Sequence, residues 1–550
     1  MSDFDNEILA YALKNAIEYG ETDVSKILPK LFRHGLEKKD IGKIMPKIQA
    51  TVKRVNSMQK DEMEMEFRKY AKFSLERDER EEGELPELEN AVEGKVITRL
   101  APEPSKYNHI GHALVFLIQY FYAEKYDGKC ILRFDDTNPE KSNLEYYNAM
   151  KDDLSWLGIK WDKEYISSND MEKYYKYAEK LIKQGEAFVC SCSQDEIKKQ
   201  REKMKGCKCR KNKESENLKE WNGMISKKFK EGERTLRLKG NMSSDNGVMR
   251  DPIIFRISYY PHFMQKEKYC VWPMYDFENP IEDSIEKVTH VIRSKEFELR
   301  AELHGYILKL LKLKSPIVKE IGRYEISGAE TKGRVIRELI EKKEINGWDD
   351  PRLVTIKALR RRGFVPEMFQ QMARTVGLSK SGGHISQNVM ESINRSIIDS
   401  IAKRYSFVED PIELKIKNVP DISKIEIPIH PDSKEKRELE IGKKIFISSS
   451  DFEKLAGKEI RLLHLYNINL GKNKQAEFTS IENKEINKIN WVSNGVKTKV
   501  LMPNGKWVEG LADEGVKDLK EGDIIQFERF GFCRLDSKEK GQYEFWYAHN

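Results

Sequence analysis

The sequence predicts an α/β protein: a parallel sheet with crossover helices in the middle of the chain, helices before it and β-barrels after it. Three observations carry this expectation. An apolar run over residues 96–100, a helical pattern from Ile110 with Leu114, Leu117, Ile118 and Phe121 on one face, and a second apolar run over 129–134 give strand, helix, strand in about thirty-five residues, a βαβ unit. Before it, apolar residues recur at helical spacing only. From Tyr405 onward the texture changes to short alternating runs with turn signals between them.

In the first segment, residues 1–90, Ile8, Leu9, Ala12, Leu13 and Ala16 mark a helix, and amphipathic stretches cover 24–36 and 41–58. The run 61–89 is dense in charge and ends in Glu84-Leu-Pro-Glu87, which predicts a linker. These helices either contact RNA or a partner protein or add solubility. The start of the chain has neither the basic flank nor the apolar centre of a signal peptide, and no apolar run reaches membrane-spanning length. A cytosolic protein without membrane contact is expected. A net charge of +7 over 550 residues permits an RNA partner without requiring one.

In the βαβ unit, Pro102 and Pro104 end the first strand, since neither has a backbone donor. His109 and His112 fall in the first turn of the helix and share a face. A helix N-terminus favours anions, so two imidazoles there suit a triphosphate. Asp135-Asp-Thr-Asn-Pro139 follows the second strand, at the end of a parallel sheet where ligands bind. A carboxylate there can hold an amine or a ribose hydroxyl; the plain alternative is a helix cap. Of seven cysteines, Cys190, Cys192, Cys207 and Cys209 form two Cys-x-Cys pairs around a Lys- and Glu-rich loop. Four thiolates could close that loop around Zn²⁺ and supply the fold energy its composition lacks. Cys130, Cys270 and Cys533 stand alone in strand-like runs and are expected in cores.

These motifs resemble the glutamyl/glutaminyl subgroup of the class I aminoacyl-tRNA synthetases. His109-Ile-Gly-His112 is similar to the class signature. Pro102–Tyr107, Arg133–Pro139, Asp153–Gly158, Val248–Pro252, Pro273–Phe277, Gly347–Leu353 and Leu359–Gly363 follow in that subgroup's order, over roughly residues 95–400. The resemblance implies a Rossmann-like nucleotide fold in two halves (91–170 and 274–323). It also implies an acceptor-stem-binding insertion with a zinc knuckle (171–273), a helical connecting domain (324–404) and β-barrels that read the anticodon (405–550). The branch it resembles is the archaeal and eukaryotic cytosolic one. The implied activity is ATP-dependent ligation of L-glutamate to tRNA(Glu) through glutamyl-adenylate, with Mg²⁺ accompanying ATP. Glutaminyl ligation is the near alternative, an inactive tRNA-binding relative a more distant one, and use of tRNA(Gln) is left open.

Carried over residue by residue, the resemblance places His109, Gly111, His112 and Arg323 against ATP, and Asp135, Tyr275 and Arg99 against the amino acid. Arg293 is the discriminating position. A side-chain carboxylate needs a cation there, and a guanidinium matches it with two parallel hydrogen bonds. The alternative is that Arg293 pairs with Glu296 or Glu298. Two departures stand out. The second ATP loop reads Gly328-Ala-Glu-Thr-Lys-Gly-Arg334, and the subgroup's lysine, counted back from Trp348, falls on Gly333. Lys332 or Arg334 is expected to serve, in preference to Lys380 of Leu378-Ser-Lys-Ser381. Lys106 and Asn108 stand where the subgroup has glycine and an aliphatic residue. Trp348, Asp349 and Arg352 are expected to brace the ATP loop.

Overall fold

The computed structural model describes residues 4–31, 34, 36, 40–70, 85–326, 329–380, 383–442, 444–539 and 541–550. The chain forms two compact units, Met1–Glu84 and Leu85–Asn550. In the first, helices α1 (Asp5–Tyr19), α2 (Val24–Leu31), α3 (Ile41–Val55) and α4 (Lys60–Tyr70) turn their apolar stripes inward, burying Ile8, Leu13, Ile27, Leu31, Ile48 and Val55. Asn56, just past α3, accepts from Thr22 N (2.9 Å) and donates to Thr22 O (2.8 Å), tying the α1–α2 connection to α3. The expected stretches 24–36 and 61–89 lie partly outside the described residues.

The second unit does not begin with a free linker. Leu85 and Leu88 are buried. Lys125 Nζ donates to Leu85 O (2.6 Å), Tyr122 Oη to Pro86 O (2.9 Å), and Leu88 N to Tyr126 Oη (2.8 Å). The segment expected as a hinge is therefore a strap across the following helix, with Glu84 outside the described residues.

The parallel sheet comes next. Strand β1 (Ile97–Leu100), helix α5 (Ile110–Lys125), β2 (Lys129–Phe134), α6 (Leu144–Trp156) and β3 (Lys163–Ile166) give the order β1-β2-β3, all parallel. Strand β2 is covered on both faces, so it reads as a continuous apolar run. The insertion holds α7 (Met171–Lys183), β4 (Ala187–Cys190), α8 (Gln194–Glu202), α9 (Glu214–Ile225), β5 (Thr235–Leu238), β6 (Ile253–Ile257) and β7 (Val271–Pro273). Its antiparallel sheet packs around Trp221, Phe255 and Trp272. The parallel pattern then resumes with α10 (Tyr275–Ile285), β8 (His290–Ser294), α11 (Glu298–Leu311) and β9 (Ile317–Ile321). Thr289 N donates to Ile97 O (2.9 Å) and Ile97 N to Thr289 Oγ1 (2.8 Å), which sets β8 beside β1, and β9 pairs parallel with β8. The C-terminal ends of β1, β2 and β8 thus open on one cleft, the usual ligand side of such a sheet.

Residues 324–404 are not wholly helical. Strand β10 (Tyr324–Ile326) precedes α12 (Gly333–Glu341), α13 (Ile356–Arg362) and α14 (Pro366–Val376); β11 (Gly383–Ile385) and α15 (Gln387–Ile398) follow. β10 and β11 pair parallel. Three-residue strands are too short to show an alternating pattern, which is why the sequence reads through them as helix. Beyond Ala402, among the described residues, a seven-stranded sheet joins Lys403–Tyr405 and Phe407–Glu409 to strands within 496–549, and a six-stranded sheet lies within 411–489. The strand Asn467–Leu470 ends just before Gly471, one of the turn signals between the short runs.

Candidate active site

The cleft has a volume of about 520 Å³. Arg99 comes to it from β1, Lys106, Asn108 and His112 from the turn into α5, and Asp135, Thr137 and Asn138 from the end of β2. Tyr275, Glu278 and Asn279 come from α10, and Arg293, Ser294 and Glu296 from the end of β8. The positions are distant in sequence and meet only because the strands are parallel.

His109 is not inside the first helical turn; it is the N-cap of α5. Its Nδ1 accepts from Gly111 N (3.1 Å), and its own N–H donates to His112 Nδ1 (3.2 Å). The two rings lie 3.9 Å apart, centre to centre. A Cβ on Gly111 would stand 2.9 Å from His109 Cε1, so only glycine lets the ring fold back over the helix start. With Nδ1 occupied as an acceptor, each neutral ring carries its proton on Nε2 and can donate from there. Burial, with Lys106 and Arg323 nearby, holds His109 down to about 3; burial, then His109 and Lys106, hold His112 well below the usual histidine range. Both imidazoles are thus held toward the neutral form, as Nε2–H donors, in the free protein.

Nitrogen-15 resonances of the two rings, assigned by their loss in His109→Asn and His112→Asn, should stay those of the Nε2–H tautomer from pH 8 to about 5. A midpoint near 6.5 in either would refute the neutral assignment. The sign for stability follows. The unfolded state binds protons that the folded state does not between the ordinary pKa and the lowered one, so stability falls as pH drops below about 6.5.

Past the end of β2, Asp135 accepts from Arg133 Nε (2.7 Å) and from Asn279 Nδ2 (3.0 Å) while still lining the cleft. Asp136, expected on the same wall, faces away from it. It takes Tyr147 Oη (2.6 Å), Ser168 N and Oγ (both 2.7 Å) and lies 3.3 Å from His262 Nε2, fully buried. Arg99 Nε donates to Asp283 (3.0 Å), which also takes Arg133 Nη1 (2.8 Å). Tyr275 packs on Phe297 and His304, and burial raises its phenol to about 12.

Arg293 pairs with neither Glu296 nor Glu298. Glu296 takes Arg323 (3.0 Å), and Arg293 Nη1 instead donates to His304 Nδ1 (3.2 Å). His304 Nε2 in turn donates to Asp276 Oδ1 (3.1 Å), which fixes the tautomer that makes Nδ1 an acceptor. Arg293 Nε and Nη2 make no hydrogen bond among the described residues, and the nearest carboxylate, Glu320, stays 3.7 Å from Nη2. A buried guanidinium fastened by one nitrogen, with donors to spare and lining a cleft, fits a ligand carboxylate. His304 and Asp276 carry no signal of their own in the sequence beyond Asp276 adjoining Tyr275.

Lys332 and Arg334 are not brought to the cleft. Both are exposed; Lys332 N donates to Glu330 (2.7 Å), and Arg334 Nε pairs with Glu338 (3.0 Å). Arg323 is half-exposed and also stands outside the lining, as does exposed Lys380. Gly328 and Ser381 of the two candidate loops lie outside the described residues. Trp348 stacks on Tyr107 (5.4 Å) and clusters with Ile336 of α12; Asp349 and Arg352 pair with Arg361 (2.9 Å) and Asp350 (2.7 Å).

In the insertion, the sulfurs of Cys190, Cys192, Cys207 and Cys209 all lie within 4.8 Å of one another, with Cys190 and Cys207 3.8 Å apart. A tetrahedral Zn–thiolate site with bonds of ~2.3 Å has sulfurs about 3.8 Å apart, so the residues fit such an ion. Arg237, fully buried, lies 3.6 and 3.7 Å from the sulfurs of Cys190 and Cys207, and would offset part of the charge of four thiolates. Cys130, Cys270 and Cys533 are buried elsewhere.

Nε2–H donors at a helix start thus stand beside a pocket that holds buried guanidinium groups and a carboxylate. Residues 95–400 match the catalytic domain of the tRNA synthetases class I (E and Q), and residues 402–487 and 478–536 match two anticodon-binding domains of the same group. A glutamate–tRNA ligase of Korarchaeum cryptofilum is 37% identical, with 98% of each chain covered. Those of Pyrococcus furiosus (37%; 98% of this chain, 99% of that one) and Nitrosopumilus maritimus (39%; 97% and 98%) are similar. The chain belongs to the class I E-and-Q tRNA synthetases, enzymes that use ATP, Mg²⁺, an amino acid and tRNA. No helix among the described residues is long and apolar enough to cross a membrane.

Proposed function

We propose that the chain ligates L-glutamate to tRNA(Glu) in the cytosol. The observation that carries this reading is Arg293, a buried guanidinium in the cleft with two nitrogens that make no hydrogen bond among the described residues. An anionic side chain satisfies those donors with charge-assisted bonds; a neutral amide matches them less well, with only Glu320 at 3.7 Å to balance the charge. Asp135 takes the α-ammonium, Tyr275 packs over the backbone of the amino acid, and Arg99 draws in its carboxylate.

In the first step a carboxylate oxygen of glutamate attacks the α-phosphorus of ATP. The bond from that phosphorus to the bridging oxygen breaks, and pyrophosphate leaves with the electron pair. His109 and His112 donate from Nε2 to the phosphoryl oxygens as charge gathers on them. Mg²⁺, carried in with the nucleotide, neutralises the phosphates. In the second step a hydroxyl of the terminal adenosine of tRNA attacks the glutamyl carbonyl carbon, the bond from that carbon to the phosphate oxygen breaks, and AMP leaves with the electron pair and takes up the hydroxyl proton. The four-cysteine cluster holds Zn²⁺ and shapes the insertion that meets the acceptor stem.

Aminoacylation with glutamate and with glutamine, on tRNA(Glu) and tRNA(Gln), tests the reading. Charging of tRNA(Glu) with glutamate is expected, at least about a hundredfold more efficient than with glutamine. Equal or better use of glutamine would reverse the assignment.

A further inference from the structure

Lys106 reaches the cleft from the turn that leads into α5. It lines that cleft together with His112 and Asn108. Its charge reaches both imidazoles. Among the described residues its ammonium makes no hydrogen bond and no ion pair within 4 Å, although burial has stripped much of its water. Glu103 and Glu296 stand near enough to offset part of that burial, yet neither pairs with the ammonium, which leaves it room for an anionic partner. The start of α12 makes room for its stem: a Cβ on Gly333 would lie 2.9 Å from Lys106 Cδ and 3.2 Å from its Cβ. Gly333 is buried beneath it, while the two neighbouring cations, Lys332 and Arg334, are exposed. Arg337, one turn on in α12, donates to Ser105 O (2.9 Å), which fixes the helix against the Lys106 segment from the other side.

We infer that Lys106 is the catalytic cation of the triphosphate site, pairing with the β- and γ-phosphates of ATP and with the departing pyrophosphate. The inference rests on the ATP-dependent activation proposed above. With His109 and His112 neutral, it supplies the formal positive charge that they do not. No proton moves at Lys106: it stays an ammonium while the α-phosphorus–oxygen bond breaks, and the charge gathering on pyrophosphate is met at Nζ. Gly333 is part of the same device, because any side chain there would displace the lysine stem.

The test uses the full chain with Mg²⁺-ATP, in two readouts: calorimetric ATP binding, and ATP–pyrophosphate exchange with glutamate and tRNA present. Lys106→Ala should weaken ATP binding about tenfold and lower exchange by about a hundredfold or more, leaving the KM for glutamate within about threefold. Lys332→Ala and Arg334→Ala should stay within about threefold of the parent in both readouts. Lys106→Gly combined with Gly333→Lys, which returns a cation to the same space from the opposite side, should recover at least about tenfold over Lys106→Gly alone. That recovery cannot come from a folding defect. Loss confined to Lys332→Ala or Arg334→Ala, with Lys106→Ala unaffected, would overturn the inference. If the parent protein shows no exchange, the activation reading fails, and ATP binding by the same variants still decides the role of Lys106.

Discussion

Replacing Arg293 with leucine should lower kcat/KM for glutamate by roughly two to three and a half orders of magnitude. Removing one partner of a buried charge pair costs about 3–5 kcal/mol, and each ~1.4 kcal/mol is tenfold. The loss should appear in the glutamate terms, with ATP binding and tRNA affinity little changed, because Arg293 is held by His304 on the amino-acid side of the cleft. Glutamine needs no counter-ion, so its use should fall far less and the selectivity ratio should narrow. His304→Ala should act in the same direction but more weakly, about tenfold. It removes the Asp276–His304 support that aims the guanidinium, not the guanidinium itself. An Arg293→Leu protein with unchanged glutamate kinetics would place the side-chain carboxylate elsewhere.

The second large effect is expected at the cysteine cluster. Purified without chelator, the protein should carry one zinc per chain, and Cys207→Ser should lose it. Besides the four cysteines, this small cluster buries only Phe188 and Ile197, and α8 contributes that one isoleucine. Structural zinc contributes about 10–16 kcal/mol in small zinc-dependent folds, so removal should unfold residues 190–213 locally. Limited proteolysis should then cut in that lysine-rich loop, while the cores around Trp221 and Leu117 persist. The KM for tRNA should rise and ATP binding should not. Absence of zinc by elemental analysis, with the loop still protected, would sink the metal assignment.

The βαβ unit was legible in the sequence because its signals are local: a buried strand, a one-faced helix, a second strand. Arg293 was singled out by the resemblance and by charge matching, and it is buried at the cleft end of β8. What escaped was everything fixed by distant partners. Asp135 and Asp136 are neighbours just past β2, yet one lines the cleft and the other bonds Tyr147 and Ser168. His304 becomes a support only once α11 packs beside α10. Lys332 looked like a phosphate ligand from its position, but the start of α12 leaves it in solvent. Lys106 looked like an oddity beside two histidines until Gly333 lay beneath it.

One feature at the far end of the second unit bears on biosynthesis. Arg362, at the end of α13, is almost fully buried and donates to Tyr547 O (3.2 Å) and Ala548 O (2.7 Å), and Asn394 of α15 meets His549 Nε2 (2.9 Å). Those acceptors lie in the strand Gln542–His549. Arg362 therefore leaves the ribosome 186 residues ahead of Ala548, roughly 10–40 s at ordinary translation rates. During that interval the nascent helices carry a guanidinium whose buried acceptors do not yet exist. Helices α13 and α15 therefore complete these buried hydrogen bonds only once the strand Gln542–His549 has been made.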